Sequence, residues 1–239
     1  MTVEILFQEV CGLYGDSQNA VYLQKSLPEA EFVFTELTQT PYFAENTPDI
    51  IYIGCMSESI QRRVIEKLMP LRDRIEELVE AGTVILATGN AGEIFARSVE
   101  YKSEGITVDA LNFFDLTVRT DLFSRYNGKA LGKVADIDVV GFRSQFSFLY
   151  GDNSDCYFME CTRGRGINMD SKLEGMRRNN LMCTQLIGPL LPLNPLFCEY
   201  LIGLTGQQGI AACRDAAMDA YTQRLKEFND PSVAFDEHH

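Results

Sequence analysis

Histidine is all but missing from this chain. The only two, His238 and His239, are its last residues and read as the remnant of a purification tag. A reaction that needs an imidazole base, acid or ligand is therefore almost excluded, Ser-His and Cys-His catalysis included. Basic residues are also few. The 21 Lys and Arg stand against 34 Asp and Glu, a formal charge of −13. That balance argues against non-specific nucleic-acid binding and against anionic membrane surfaces, while leaving room for a local basic pocket. The apolar runs are far shorter than a membrane span, and the first ten residues lack the basic start of a signal peptide, so a cytoplasmic protein is expected. CxxC pairs are absent too. Seven cysteines are scattered, with Cys156 and Cys161 the nearest two, and without histidine partners the expectation is reduced thiols, no metal site and no cofactor.

What is present is an ordinary globular mixture, 46% hydrophobic and 23% charged, enough for one core. A single domain is expected over residues 1–229, followed by an acidic, frayed tail at 230–239. Residues 3–10 alternate as a first strand, and Asp16 or Ser17 is placed to cap a helix reaching about Leu27. A second strand follows over 31–37. The apolar run DIIYI at 49–53 suits a parallel strand covered on both faces. Ser57 opens a helical region over 58–80 that Pro70 should divide in two. This order predicts an α/β fold, a flavodoxin-like, mostly parallel doubly wound sheet. Short β-like pieces at 113–119, 134–142, 146–150 and 157–162 suggest an antiparallel extension. A last strand over 179–187, a helix over 195–202 behind Asn194 and Pro195, and an amphipathic helix over 210–228 complete the chain.

The rest is organised around TVILATGNAGEIFA at 83–96. It reads as a buried strand, a tight turn of small residues and the start of a helix. In α/β sheets such a bend lies at the carboxyl end of a strand, where catalytic groups gather. Here it offers Thr88, Gly89 and Asn90, and no cysteine.

Four separated segments carry a resemblance: LYGDSQN at 13–19, IGCMSES at 53–59, VILATGNAGEIF at 84–95 and GPLLPLNP at 188–195, the last preceded by EGMRRNN at 174–180. Together they resemble class I glutamine amidotransferase domains of the cobyric acid synthase branch. Within that branch the chain is most similar to the small glutaminase subunits of lipid II isoglutaminyl synthases, which pair with a Mur-ligase-like subunit, and this implies a connection with peptidoglycan. The resemblance puts the family's cysteine nucleophile at Gly89 and its histidine base at Ile187. The glutamine after the elbow falls at Glu93, and a further histidine falls near Gln145. The turn whose amides help hold the oxyanion falls at Gly54-Cys55-Met56-Ser57. Glutaminase chemistry needs a thiolate, an imidazole and amides for the oxyanion, and two of these three are lost here. Glycine adopts an elbow's backbone angles without strain, so the shape can outlast the nucleophile.

The resemblance therefore implies a catalytically degenerate relative, a binding or regulatory partner of a Mur-ligase-like or other synthetase subunit. One alternative is altered chemistry in the same cleft through Cys55, Glu93 or Thr88. Another is a sensor of a small amide or amino acid. The turn 89–92 is either a plain connection or an anion site at a helix start, and Cys55 is either a displaced nucleophile or an inert packed thiol. Arg163, Arg165, Arg177 and Arg178 are either grips for an acidic partner or solvated surface. Asp16 is a helix cap by residue type, whereas the resemblance puts it on the active-site side.

Overall fold

The computed structural model describes residues 1–237, so the expectation for His238 and His239 lies outside the described residues. In chain order, β1 (Thr2–Leu6), α1 (Ser17–Ser26), β2 (Glu31–Thr35), β3 (Ile50–Ile53), α2 (Glu58–Leu68), α3 (Arg72–Ala81) and β4 (Val84–Thr88) build the first half. Ser57 caps α2 by accepting the Ile60 amide, and Pro70 sits in a 3-10 turn, Met69–Leu71, that separates α2 from α3. Gly82, left-handed at φ 88°, ends α3.

The second half runs β5 (Ala96–Tyr101), β6 (Ile106–Asp109), β7 (Phe114–Thr120), β8 (Tyr126–Val134), β9 (Ile137–Gln145), β10 (Ser147–Tyr150), β11 (Met159–Arg163), β12 (Leu173–Glu174), β13 (Met176–Arg178) and β14 (Leu181–Thr184). Then come α4 (Leu190–Leu193), α5 (Pro195–Gly203), α6 (Arg214–Asn229) and β15 (Asp236–Glu237). The central sheet has six strands in the order β13-β14-β4-β3-β1-β2. All its pairings are parallel except β13 with β14, an antiparallel strand at the edge. The order 2-1-3-4 is flavodoxin-like, and the chain reverses its direction of growth between β1 and β3, which opens a crevice at their carboxyl ends.

Both faces of the sheet are covered. Ile51 and Ile53 point into a core shared with α2 and α3 (Val64, Leu68, Ile75, Leu78), whereas Ile50 and Tyr52 face a second core with α1 and α5 (Leu23, Phe197, Leu201). Coverage on both sides is why the run reads as apolar throughout.

Two further sheets flank this centre. One has the order β10-β7-β5-β6, with β5 and β7 parallel, and the other joins β12-β11-β8-β15 with β9 beside β8. A bridge between Phe142 and Ile187 ties β9 to the stretch after β14.

Three sequence expectations change. The first strand stops at Leu6 because Phe7 turns to φ 56°. No α-helix follows the elbow. A seven-residue 3-10 segment, Gly89–Phe95, runs straight into β5, whose Val99 and Tyr101 are buried in a sheet core. The tail is docked rather than frayed as far as Glu237. Phe235 packs on Phe228 at 5.4 Å between ring centres, and β15 pairs with β8. Among the described residues no helix is long and apolar enough to cross a membrane.

Candidate functional site

The site lies at the β1/β3 switch point, where the loops after β1, β3 and β4 meet. Asp16 joins all three. Its Oδ2 accepts the Cys55 amide at 2.8 Å and the Thr88 hydroxyl, and its Oδ1 accepts Asn19 Nδ2 at 2.9 Å. The Tyr52 hydroxyl donates to the Asp16 carbonyl at 3.0 Å. Asp16 is fully buried, and burial raises its carboxyl pKa despite these donors. It precedes α1 without capping it, since its side chain turns inward to the cleft loops.

Asn90 clamps the elbow to the turn after β3. Its Oδ1 accepts the Met56 amide at 2.9 Å while its Nδ2 donates to the Met56 carbonyl at 2.8 Å. Gly89 is left-handed at φ 60°, and a Cβ there would lie 2.7 Å from Cys55 Cβ, 2.8 Å from Cys55 Sγ and 3.2 Å from Ile187 Cγ2. The place of a side chain at the elbow is thus filled from the facing turn by Cys55 and walled by Ile187. Cys55 is only 5% exposed. Burial first, and then the Asp16 charge, push its thiol up to about 12. The charged groups that act on it, Asp16, Glu93 and Glu58, are all carboxylates and favour the protonated thiol.

Behind the elbow, Glu93 accepts Gln61 Nε2 at 2.9 Å, the Ser147 hydroxyl and Gln185 Nε2 at 3.3 Å. Burial lifts its carboxyl to about 7 against those three donors. Gln61 also donates to the Asn90 carbonyl at 2.8 Å, which links Glu93 to the clamp. Gln145 reaches this cluster only through the Ser147 carbonyl, at 2.5 Å.

Asp16, Gly54, Cys55, Thr88, Gly89, Asn90 and Ile187 thus meet where these loops converge, and Glu93 lies behind the elbow. The arginines do not join them. Arg165 pairs with Asp236 at 2.9 Å, and Arg163 donates to the Asp230 and Val233 carbonyls, so both hold the tail. Arg177 bonds the Asn179 carbonyl, and Arg178 pairs with Glu76 and Glu80 on α3. Each of the four is thus bonded within the chain. Because the elbow opens a short 3-10 segment, the macrodipole of a long helix is missing where an anion would sit.

Sequence reasoning missed Asn19, Tyr52, Gln61, Ser147 and Gln185. Tyr52 carried a usable signal as the one hydroxyl in an otherwise apolar strand, and Asn19 closed the LYGDSQN segment. The other three are polar residues that meet at Glu93 from distant parts of the chain.

No family model matches the chain. It is 25% identical over 208 residues to the GatD subunit of the lipid II isoglutaminyl synthase (glutamine-hydrolyzing) of Staphylococcus aureus, covering 84% of this chain and 83% of that one. PurLQS from Thermotoga maritima shares the fold with a TM-score of 0.54 at 9% identity, over 94% of this chain and 98% of its own. A glutamine amidotransferase from the same organism aligns with a TM-score of 0.50 at 10% identity, over 96% and 86%. The chain is thus similar in sequence to a glutaminase subunit and shares its fold with glutamine amidotransferases.

Proposed function

We propose that this chain is a glutaminase-subunit relative that does not hydrolyse glutamine and instead binds and regulates a Mur-ligase-like or other amide-forming enzyme. One observation carries the reading. The elbow position is a glycine whose side-chain space holds Cys55 and Ile187, and neither is a competent nucleophile or base. Hydrolysis would need a thiolate to form the acyl-enzyme and a group to protonate the departing ammonia. An aliphatic wall and a thiol held near 12 supply neither. The clamp by Asn90 and the Asp16 junction nevertheless keep the three loops together, which supports a retained binding shape.

The test compares amide formation by a Mur-ligase-like enzyme of the same organism, with and without the chain, using glutamine or ammonium as nitrogen source. The reading expects the chain to alter the ammonium-dependent rate while adding no glutamine-dependent reaction. Glutamine-dependent product that requires the chain would overturn it.

A second reading rests on Glu93, whose carboxyl near 7 is poised for proton transfer. It is saturated by three donors and 2% exposed, so any turnover through it should vanish in Glu93→Gln.

A further inference from the structure

The loop between β7 and β8 presents an apolar tip to solvent. Phe123 is 91% exposed and Leu122 42% exposed, yet the loop is held firmly. Asp121 accepts the Phe123 amide at 3.1 Å and pairs with Lys102 at 2.7 Å, and its own amide donates to the Phe146 carbonyl at 2.7 Å. Ser103 Oγ accepts the Leu122 amide at 3.3 Å. An ordered, exposed phenylalanine contributes nothing to this chain's core. It loses little entropy on docking, which is the character of an interface anchor.

The tip is continuous with the mouth of the candidate site. Arg125 donates to the Tyr14 hydroxyl at 2.7 Å, and its guanidinium lies over the rings of Tyr14 and Phe146. Tyr14 is left-handed at φ 57° and 44% exposed, two residues before Asp16. Such backbone costs about 1–2 kcal/mol in a non-glycine residue, and the ring is only partly covered. The same spot carries a cation. Lys102 pairs with Asp121 and Arg119 with Glu100, whereas Arg125 has no carboxylate partner among the described residues. On a chain of net charge −13, this is a local cation flanked by apolar groups.

We propose that Tyr14, Leu122, Phe123 and Arg125 form the docking surface for a protein partner that seats Phe123 in an apolar pocket and sets a carboxylate against Arg125. The partner is taken to be the amide-forming enzyme, so this step rests on the function proposed above. The surface lies beside the cleft loops, so a bound partner contacts the segment that Asp16 anchors.

The experiment is titration calorimetry of the full chain against a Mur-ligase-like enzyme of the same organism. Three variants are compared: Phe123→Ser, Arg125→Glu, and Ile210→Ser as a control that removes another exposed apolar residue, 69% exposed, before α6. Thermal unfolding checks that each is folded. Phe123→Ser and Arg125→Glu should each weaken binding at least about 30-fold, as expected of anchor residues, with the control within about 2-fold. A wild-type complex that both variants form equally well overturns the surface and leaves the proposed function standing. No complex with the wild type overturns the proposed function, and the surface with it. A self-association of the chain that Phe123→Ser abolishes overturns the assignment by making a second copy the occupant.

Discussion

Replacing Gly89 by alanine should destabilise the protein through two separable terms. A left-handed non-glycine residue costs about 1–2 kcal/mol, and Gly89 stands at φ 60°. The new Cβ would meet Cys55 Cβ at 2.7 Å and Sγ at 2.8 Å, inside contact distance, and crowding of this kind in a packed site costs about 1–3 kcal/mol. Gly89→Ala alone should therefore lose about 2–5 kcal/mol. In a Cys55→Gly background most of the crowding disappears, leaving the backbone term and the 3.2 Å approach to Ile187 Cγ2. The double-mutant cycle should then return a favourable coupling of about 1–3 kcal/mol, measured by urea unfolding of the four proteins. Additivity within about 0.5 kcal/mol would refute the claim that Cys55 fills the elbow's side-chain space.

Other expectations follow from the same network. The Glu93 carboxyl, lifted by burial from the ordinary 4.5 to about 7, gives stability that is full below pH 4.5 and lost as the pH rises through 7, a difference of about 3 kcal/mol. Unfolding free energies of wild type and Glu93→Gln should diverge in favour of the variant between pH 5 and 8, and a constant gap would contradict this. Asp16→Ala leaves the buried Cys55 amide without its acceptor and Asn19 Nδ2 with the Tyr52 hydroxyl alone, so chemical denaturation should show a loss of about 3 kcal/mol. Arg163→Ala removes the side chain that holds the Asp230 and Val233 carbonyls and stacks on Phe235 at 4.1 Å. Proteases should then cleave within 230–237 at least several times faster, and unchanged cleavage would show that Phe235 packing alone docks the tail.

The central sheet was legible because burial on both faces writes apolar runs, as in Ile50–Ile53, and because Ser57, Pro70 and Gly82 mark helix ends by local chemistry. The elbow's position was legible from its small residues, but its continuation was not. Residues 93–96 are compatible with a helix, and only pairing of Ala96–Tyr101 with β6 and β7 decides for a strand. The tail misled in the same way. Its charges predict fraying, whereas Phe235 and Asp236 find partners more than seventy residues away in sequence, at Tyr126 and Arg165 among others. Within the site, the resemblance pointed to these loops but could not show that Cys55 occupies the space beside Gly89, since that depends on how two loops approach.

The central claim is that the cleft keeps an amidotransferase shape without its reaction. The most direct measurement is ammonia release from glutamine by the unaltered chain, run beside a Cys55→Gly, Gly89→Cys, Ile187→His triple variant. The first substitution is required because a cysteine at 89 would otherwise collide with Cys55. The account predicts no ammonia above the buffer blank from the natural chain, and measurable release once nucleophile, base and space are restored. Ammonia release by the natural chain that disappears in Cys55→Ser would contradict it and make Cys55 the nucleophile.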